Sequence, residues 1–370
     1  MEIDAAHHVV YRIVLPFFIA LGILINGSAI VVLARPRLRS ARVNRYFLLL
    51  AISDLMVCFF YIPVATTITG CIFSSYTEAF YYAHFGWTFV GVSQALGTYI
   101  IVWLALDRFM AVWMYQLYPR LQKKPNVLRN RMIVTAIMSF FSHLPYMIKA
   151  AVVCTAEDPD DADCAGGEWD GITGYEYEFT KTWHKYYRVF FSLYIRWIPS
   201  VLMVVFNVGM IVAVVKGRVR HPKTQGKAAG RSEKKLIFIM IAITASYILF
   251  TLPITLYITA FSKKQDNRCG GEHPQEVLRG VGNVFQLIEH IIHVLFLLVL
   301  NHGFKQEIKI LLGLEEAPAR NNCAYESRSN TSMTGRTVVV SPGAQHIVTV
   351  PTGKQDGCAS NAMLEIDIDT

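Results

Sequence analysis

Charge is scarce in this chain. Only 17% of its 370 residues are Asp, Glu, Lys or Arg, and residues 13–34, 79–106 and 236–262 contain none. Soluble domains carry roughly a quarter. The same runs lack polar residues at every third or fourth position, which excludes the one-sided amphipathic helices of a water-soluble bundle. No nucleophile–base or zinc-ligand pattern stands at a helix end, so no enzyme class is indicated. No internal repeat divides the chain, which argues against a transporter or channel built from matched halves. The first apolar run has no basic stretch before it and ends in Arg35 rather than a small-residue cleavage site. It therefore reads as a membrane span and not a leader.

What the chain has instead is apolar length: 53% of its residues are hydrophobic. Seven apolar runs cover 13–34, 46–77, 79–106, 132–148, 189–215, 236–262 and 281–300. At 1.5 Å per residue, about 20 residues cross a ~30 Å hydrocarbon layer. The fourth run is expected to stay helical past Lys149 to about residue 156. The expected fold class is an all-α integral membrane protein, a seven-transmembrane helix bundle filling residues 11–300. Phe304, Ile308 and Leu311 then fall at i, i+4 and i+7, the pattern of a short amphipathic helix on the membrane surface over 301–314. A short exterior N-terminus (1–10) and a disordered cytoplasmic tail (315–370), rich in Ser, Thr, Asn, Gly and Pro, complete the layout.

The connecting segments alternate in charge. Residues 35–45 hold five Arg and no acid. Residues 107–131 are rich in Arg and Lys, and 216–235 are basic apart from Glu233. Residues 154–179 reverse this, with nine Asp and Glu and no Lys or Arg. By the positive-inside rule the basic segments are cytoplasmic, which places the N-terminus outside and the C-terminus inside at a cell surface. The net charge of +8 sits in short loops beside membrane helices, so nucleic acid is not an expected partner.

A few polar residues interrupt the apolar runs. Asp54 stands in the middle of the second, where a carboxylate is costly and is expected to face the bundle interior. Asp107-Arg108-Phe109 closes the third run ~36 Å along the helix axis from His84, at the cytoplasmic mouth. Glu233 precedes Pro253 by twenty residues, ~30 Å of helix, which brings it to the depth of Arg108; a pair there would tie helices three and six. Pro199 and Pro253 lie inside the fifth and sixth runs. Asn283, Gln286, Glu289, His290 and His293 share ~120° of the seventh helix's circumference and are expected to point inward. Metal binding by Glu289, His290 and His293 competes there with interhelical hydrogen bonding; the latter is preferred, and no metal or cofactor is expected. Arg196 needs a partner, and Glu289 is the expected one. Of the seven cysteines, Cys71, Cys154, Cys164 and Cys269 map to the exterior, where disulfides persist.

Gly22-Ile-Leu-Ile-Asn-Gly27, Leu50-Ala-Ile-Ser-Asp-Leu55, Leu106-Asp-Arg-Phe-Met-Ala-Val112, Pro199 and Pro253 together resemble a rhodopsin-like (class A) G-protein-coupled receptor over residues 11–313. His143-Leu-Pro145, Tyr186-Tyr-Arg-Val-Phe-Phe191, Ile198-Pro199 and Asn207 resemble the invertebrate neuropeptide receptors for FMRFamide, myosuppressin and sex peptide. The resemblance implies that Asn26 and Asp54 take interior polar positions. It makes Arg108 the arginine that meets the G protein, Glu233 its acidic lock, and Asp54, Asp107 and Pro253 parts of the activation machinery. It places the ligand among Trp87, Val90, Gly91, Gln94, Arg188, Phe191, Ile258, Phe261, Asn283 and Gln286. Departures are visible. The helix-six aromatic position holds Thr251, the usual Asn-Pro-x-x-Tyr reads His293-Val-Leu-Phe-Leu297, and the sodium-site positions hold Gly97 and Glu289. The helix-three disulfide position holds Ala83, so Cys71 is the expected replacement, bonded to Cys164, with Cys154 the alternative.

Val90 at the amine-receptor aspartate position and Leu287 at the opsin lysine position remove a biogenic amine and a retinal Schiff base from consideration. The resemblance leaves an extracellular peptide, basic or amidated, steered by the acidic second exterior loop. It further implies a heterotrimeric G protein, and arrestin and kinases acting through the tail at Ser and Thr between residues 327 and 337. The alternative is a receptor-like membrane protein with altered switch residues that does not couple to a G protein.

Overall fold

The computed structural model describes residues 8–70, 75–114, 118, 126–148, 150–154, 169–173, 183, 186–187, 189–216, 227–257 and 274–315, and within helices and strands a few side chains are left out. These residues belong to one compact unit, 1–316; residues 317–370 lie outside the description.

Seven long helices appear among the described residues. They are α1 (Leu15–Leu33), α2 (Arg42–Gly70), α3 (Trp87–Trp113), α4 (Val127–Met147), α5 (Ile198–Val215), α6 (Lys227–Leu256) and α7 (Pro274–Leu300). An eighth, α8 (His302–Leu311), follows at once. Three of the long helices are entered through a wider π-type turn: Val10–Val14 before α1, Tyr81–Gly86 before α3 and Leu193–Trp197 before α5. The interior order runs α1–α2–α3, with α3 also against α4 and α5, and α6 packed on α5 and α7; α7 returns to α1.

The surface is the reverse of a soluble protein's. Phe17, Leu24 and Val31 on α1 and Val201, Val204, Val205, Val208 and Ile211 on α5 are exposed, whereas Asn26, Asp54, Asn207, Glu289, His290 and His293 are buried. Such an exterior is stable only in lipid, where each helix satisfies its own backbone groups. Six helical stretches are long and apolar enough to cross a bilayer. α4 is as long, 21 residues, ~32 Å at the helical rise, but its first turns carry Arg129, Asn130 and Arg131. The protein is an all-α membrane protein with one small exception described next.

α4 does not reach residue 156. It ends at Met147, with Pro145 in its last turn, and residues 150–154 form a strand. This strand, β1 (Ala150–Cys154), pairs antiparallel with β2 (Trp169–Thr173), placing Ala150 opposite Thr173 and Cys154 opposite Trp169. The hairpin packs against Tyr76–Phe80 and the wide turn leading into α3. His84 Nδ1 pairs with Met147 O across the same corner. This end of the bundle is called the hairpin end below. At the other end Asn301 caps α8, its Oδ1 accepting from Phe304 N–H at 3.2 Å. Phe304 is buried and Ile308 packs on the same cluster as Leu38. Arg37 reaches α8 through Gln306 (3.3 Å) and Glu307 (3.8 Å).

Pro199 stands just after the wide turn, inside one continuous helical span from Val189 to Val215 that includes residues 189–192, the turn and α5. Pro253 is inside α6. Each proline removes an amide donor from its helix; at Pro199 the wide turn just before it takes up the gap.

Candidate functional site

Three polar clusters lie along the bundle axis. At mid-depth Asp54, 0% exposed, reaches from α2 to α7. Its Oδ1 meets His290 Nδ1 at 2.7 Å and its Oδ2 meets His293 Nδ1 at 2.9 Å. The arithmetic of depth explains the match: Asp54 is twelve residues into α2 and His290 ten before the end of α7, ~18 and ~15 Å from the same bundle end. Glu289 Oε1 lies 3.5 Å from His293 Nε2. Asn26 Nδ2 donates to Gly22 O (3.0 Å) and His290 O (3.4 Å), and Ser53 Oγ donates to Ser93 O (2.8 Å). Gly97 keeps α3 close: a Cβ there would stand 3.0 Å from Ser53 Oγ. Asp54, His290 and His293 each offer a ligand atom within 4.8 Å of the others. As arranged, both carboxylate oxygens are occupied by imidazole nitrogens, and the set is an interhelical hydrogen-bond cluster.

The expected Arg196–Glu289 contact is not formed. Arg196 is 19 residues before the end of α5 and Glu289 eleven before the end of α7, ~29 and ~17 Å from that bundle end. The two charges are therefore separated by about two helical turns of depth. Tyr247, whose O–H donates to Ile195 O at 3.3 Å, lies within electrostatic range of both.

The second cluster is at the hairpin end. Asn283 on α7 accepts from Tyr61 O–H (3.2 Å) and donates to Tyr11 Oη (3.2 Å), joining α7 to α2 and to the wide turn that leads into α1. Trp87 stands edge-on to Tyr61 at 6.0 Å. Val90, 1% exposed, is packed in the same apolar cluster as Tyr61 and Leu287. Gln94 Nε2 donates to Gln286 Oε1 at 3.3 Å, bridging α3 and α7. Gly91, one residue round the helix from Val90, faces α4. A Cβ at that glycine would lie 2.5 Å from His143 Cδ2 and Nε2. His143 is held by Nδ1–H donating to Ser139 O (2.7 Å) and by Phe191 edge-on at 4.9 Å. The structure thus divides the expected ligand residues into an α2–α3–α7 set around Tyr61 and an α3–α4–α5 set around His143. Arg188, Ile258, Phe261, Cys71 and Cys164 lie outside the described residues, and Cys154 is described by its backbone only. Gly91→Ala is expected to lower stability by ~1–3 kcal/mol, the usual cost of overpacking, read as a lower half-inactivation temperature of the detergent-solubilised protein.

The third cluster closes the α8 end. Asp107 pairs with Arg131 Nη1 of α4 and accepts from Tyr46 O–H of α2 at 3.0 Å; Arg131 also donates to Tyr46 Oη at 2.8 Å. Arg131 lies over the Trp103 ring, 4.9 Å from its centroid, and Trp103 Nε1 donates to Thr135. Arg108, next along α3, has a sealed Nε with no hydrogen-bond partner. Glu233 is on α6, with its side chain outside the description. Arg131 and Tyr46 were hidden in the sequence because Arg131 reads as one more basic loop residue and Tyr46 as the start of an apolar run.

A seven-helix membrane bundle with a buried charge cluster on α2 and α7 and an Asp-Arg pair ending α3 defines a G-protein-coupled receptor architecture. The family profile for the serpentine-type 7TM GPCR chemoreceptor Srw matches residues 13–315, and the chain belongs to that family. It is similar to a probable G-protein coupled receptor, B0563.6, of Caenorhabditis elegans, 19% identical over 295 residues. The alignment covers 76% of this chain and 64% of that relative's length.

Proposed function

We propose that the chain is a plasma-membrane receptor, with the hairpin end outside and the α8 end in the cytoplasm, that binds a peptide and activates a heterotrimeric G protein. The observation that carries this reading is the third cluster. Asp107 is engaged by Arg131 and Tyr46, so it does not hold Arg108, which is left to meet α6 or an entering G-protein helix. Agonist favours the arrangement in which α6 swings about Pro253 and the cleft at Arg108 opens. The peptide reading is supported by the acidic composition of residues 154–179, and by Val90 and Leu287, which offer neither a counter-ion for an amine nor a nucleophile for retinal. Ser and Thr of residues 327–337 are the expected kinase and arrestin sites.

Two measurements test it. Expressed receptor screened with RFamide, myosuppressin and myoinhibitory-type peptides, each in amidated and free-acid form, is expected to give a dose-dependent G-protein response to at least one of them. Glu233→Ala is expected to raise ligand-free signalling several-fold; one lost ionic contact of ~1 kcal/mol shifts a two-state equilibrium about five-fold. Unchanged basal activity at equal surface expression would remove Glu233 from the lock. Thr251 and the His293-Val-Leu-Phe-Leu297 sequence favour the second reading, a receptor-like protein without coupling, and silence of the wild type toward every peptide, with Glu233→Ala equally silent, would support that reading.

A further inference from the structure

Among the described residues, Arg196 is an interior cation that the clusters above leave unexplained. Residues 189–197 lead into α5 from the hairpin end, which puts Arg196 ~10 Å below Val189. It is only 9% exposed, and its Nη1 is sealed without a hydrogen-bond partner. Among the described residues no carboxylate pairs with it. Asp54 is taken by His290 and His293, Glu289 stands beside His293, Asp107 is held by Arg131, and Glu307 is near Arg37. A guanidinium without a counter-charge in a low-dielectric interior is costly, and such groups are retained where they bind something.

The backbone around Arg196 is built to aim it. The wide turn Leu193–Trp197 loosens the usual helical ladder; Leu193 O still accepts from Ile198 N–H, and three of the carbonyls accept from hydroxyls. Tyr99 O–H from α3 donates to Tyr194 O at 2.7 Å, Tyr247 O–H from α6 to Ile195 O at 3.3 Å, and Ser200 Oγ–H to Arg196 O at 2.6 Å. Tyr146 of α4, Tyr247 of α6 and His143 lie within electrostatic range of the guanidinium. The imidazole supplies no negative charge, since its Nδ1–H is committed to Ser139 O.

We propose that Arg196 is the anchor for a carboxylate carried by the ligand. The proposal rests on the reading that ligand enters from the hairpin end. The acidic segment 154–179 disfavours a bare anion and favours one accompanied by a cation, as in a peptide with basic residues and a free C-terminus. The fork of the guanidinium matches a carboxylate in two parallel hydrogen bonds. A C-terminal amide would offer one acceptor oxygen to the guanidinium and leave its charge unbalanced.

The test uses full-length receptor in detergent and in cells. Arg196→Met, which keeps length and removes charge, is expected to raise the half-inactivation temperature of the ligand-free receptor by several degrees. For the wild type, acetate at constant ionic strength is expected to stabilise in a saturable way and acetamide not, with neither acting on Arg196→Met. In cells, tripeptide pools with free C-termini are expected to activate the wild type at least ten-fold more potently than the same pools amidated, with small organic acids as the separate arm. If Arg196→Met lowers the inactivation temperature, an acid of the chain itself pairs with Arg196 and the proposal fails. Equal effects of acetate and acetamide overturn it also. Charge-dependent stabilisation without any G-protein response would leave the subsite standing and remove the receptor reading. A response to peptide that is unchanged in Arg196→Met would do the reverse.

Discussion

Replacing Asp54 with Ala is expected to produce the largest loss of stability of any single substitution in the bundle. The carboxylate is fully buried and holds two imidazoles of α7 with one oxygen each. Its removal leaves His290 and His293 without their Nδ1 partner in a site sealed from water. Breaking a buried charged pair by deleting one member costs ~3–5 kcal/mol, against a total of about 5–15 kcal/mol for a folded domain. Interhelical polar contacts in membranes average nearer 0.6 kcal/mol, but that figure describes single neutral hydrogen bonds, whereas here one group ties two. The expected result is a half-inactivation temperature lower by on the order of 10 °C, with reduced surface expression. Asp54→Asn keeps an acceptor and adds a donor, and is expected to lose about half as much. The cluster also predicts non-additivity: once Asp54 is Ala, His290→Ala and His293→Ala together should add little. If Asp54→Ala and the two histidine substitutions were strictly additive, the three side chains would not act as a unit.

How much of this was readable beforehand depended on which physical signal each element carries. The seven spans, the amphipathic helix and the inward stripe of α7 follow from apolar length and 3.6-residue periodicity, and the chain needs no tertiary information to display them. β1 was missed because Ala150-Ala-Val-Val-Cys154 is a short apolar run after a longer one, and periodicity does not separate a buried strand from a continuing helix. The β-branched Val152 and Val153, and Pro145 at the preceding helix end, were the available signs. The partner of Glu289 was misassigned because lone charges were matched by sign alone. His290 and His293 are formally neutral and so were not counted, although they share the depth of Asp54, while Arg196 does not share that of Glu289. The pairing of Asp107 with Arg131 had no sequence signal, since it depends on the register of α4 against α3. Family membership agrees with the receptor architecture and leaves the peptide ligand to experiment.

Arg131→Met is the second substitution expected to act strongly, and its reversal is more informative than its effect. Asp107 is 2% exposed and is bound by Arg131 and by Tyr46. With Met at 131 the side-chain volume and the packing over Trp103 are largely kept, but the carboxylate is left with Tyr46 alone. The penalty then arises from the uncompensated charge and not from a cavity, ~3–5 kcal/mol by analogy with other broken buried pairs. A loss of roughly 2–4 °C per kcal/mol in proteins of this size gives a half-inactivation temperature lower by about 10 °C. Neutralising the survivor should undo most of this. In Asp107→Asn combined with Arg131→Met, the Asn amide can still accept from Tyr46, and no charge is buried, so more than half of the lost stability is expected to return. The double variant also separates architecture from signalling. α2, α3 and α4 stay joined through Tyr46 and through Trp103 to Thr135, while Arg108 at the α8 end of α3 is left with no acid on its own helix. A double variant no more stable than Arg131→Met alone would mean that Arg131 contributes by packing on Trp103, and that the charge of Asp107 is dealt with elsewhere.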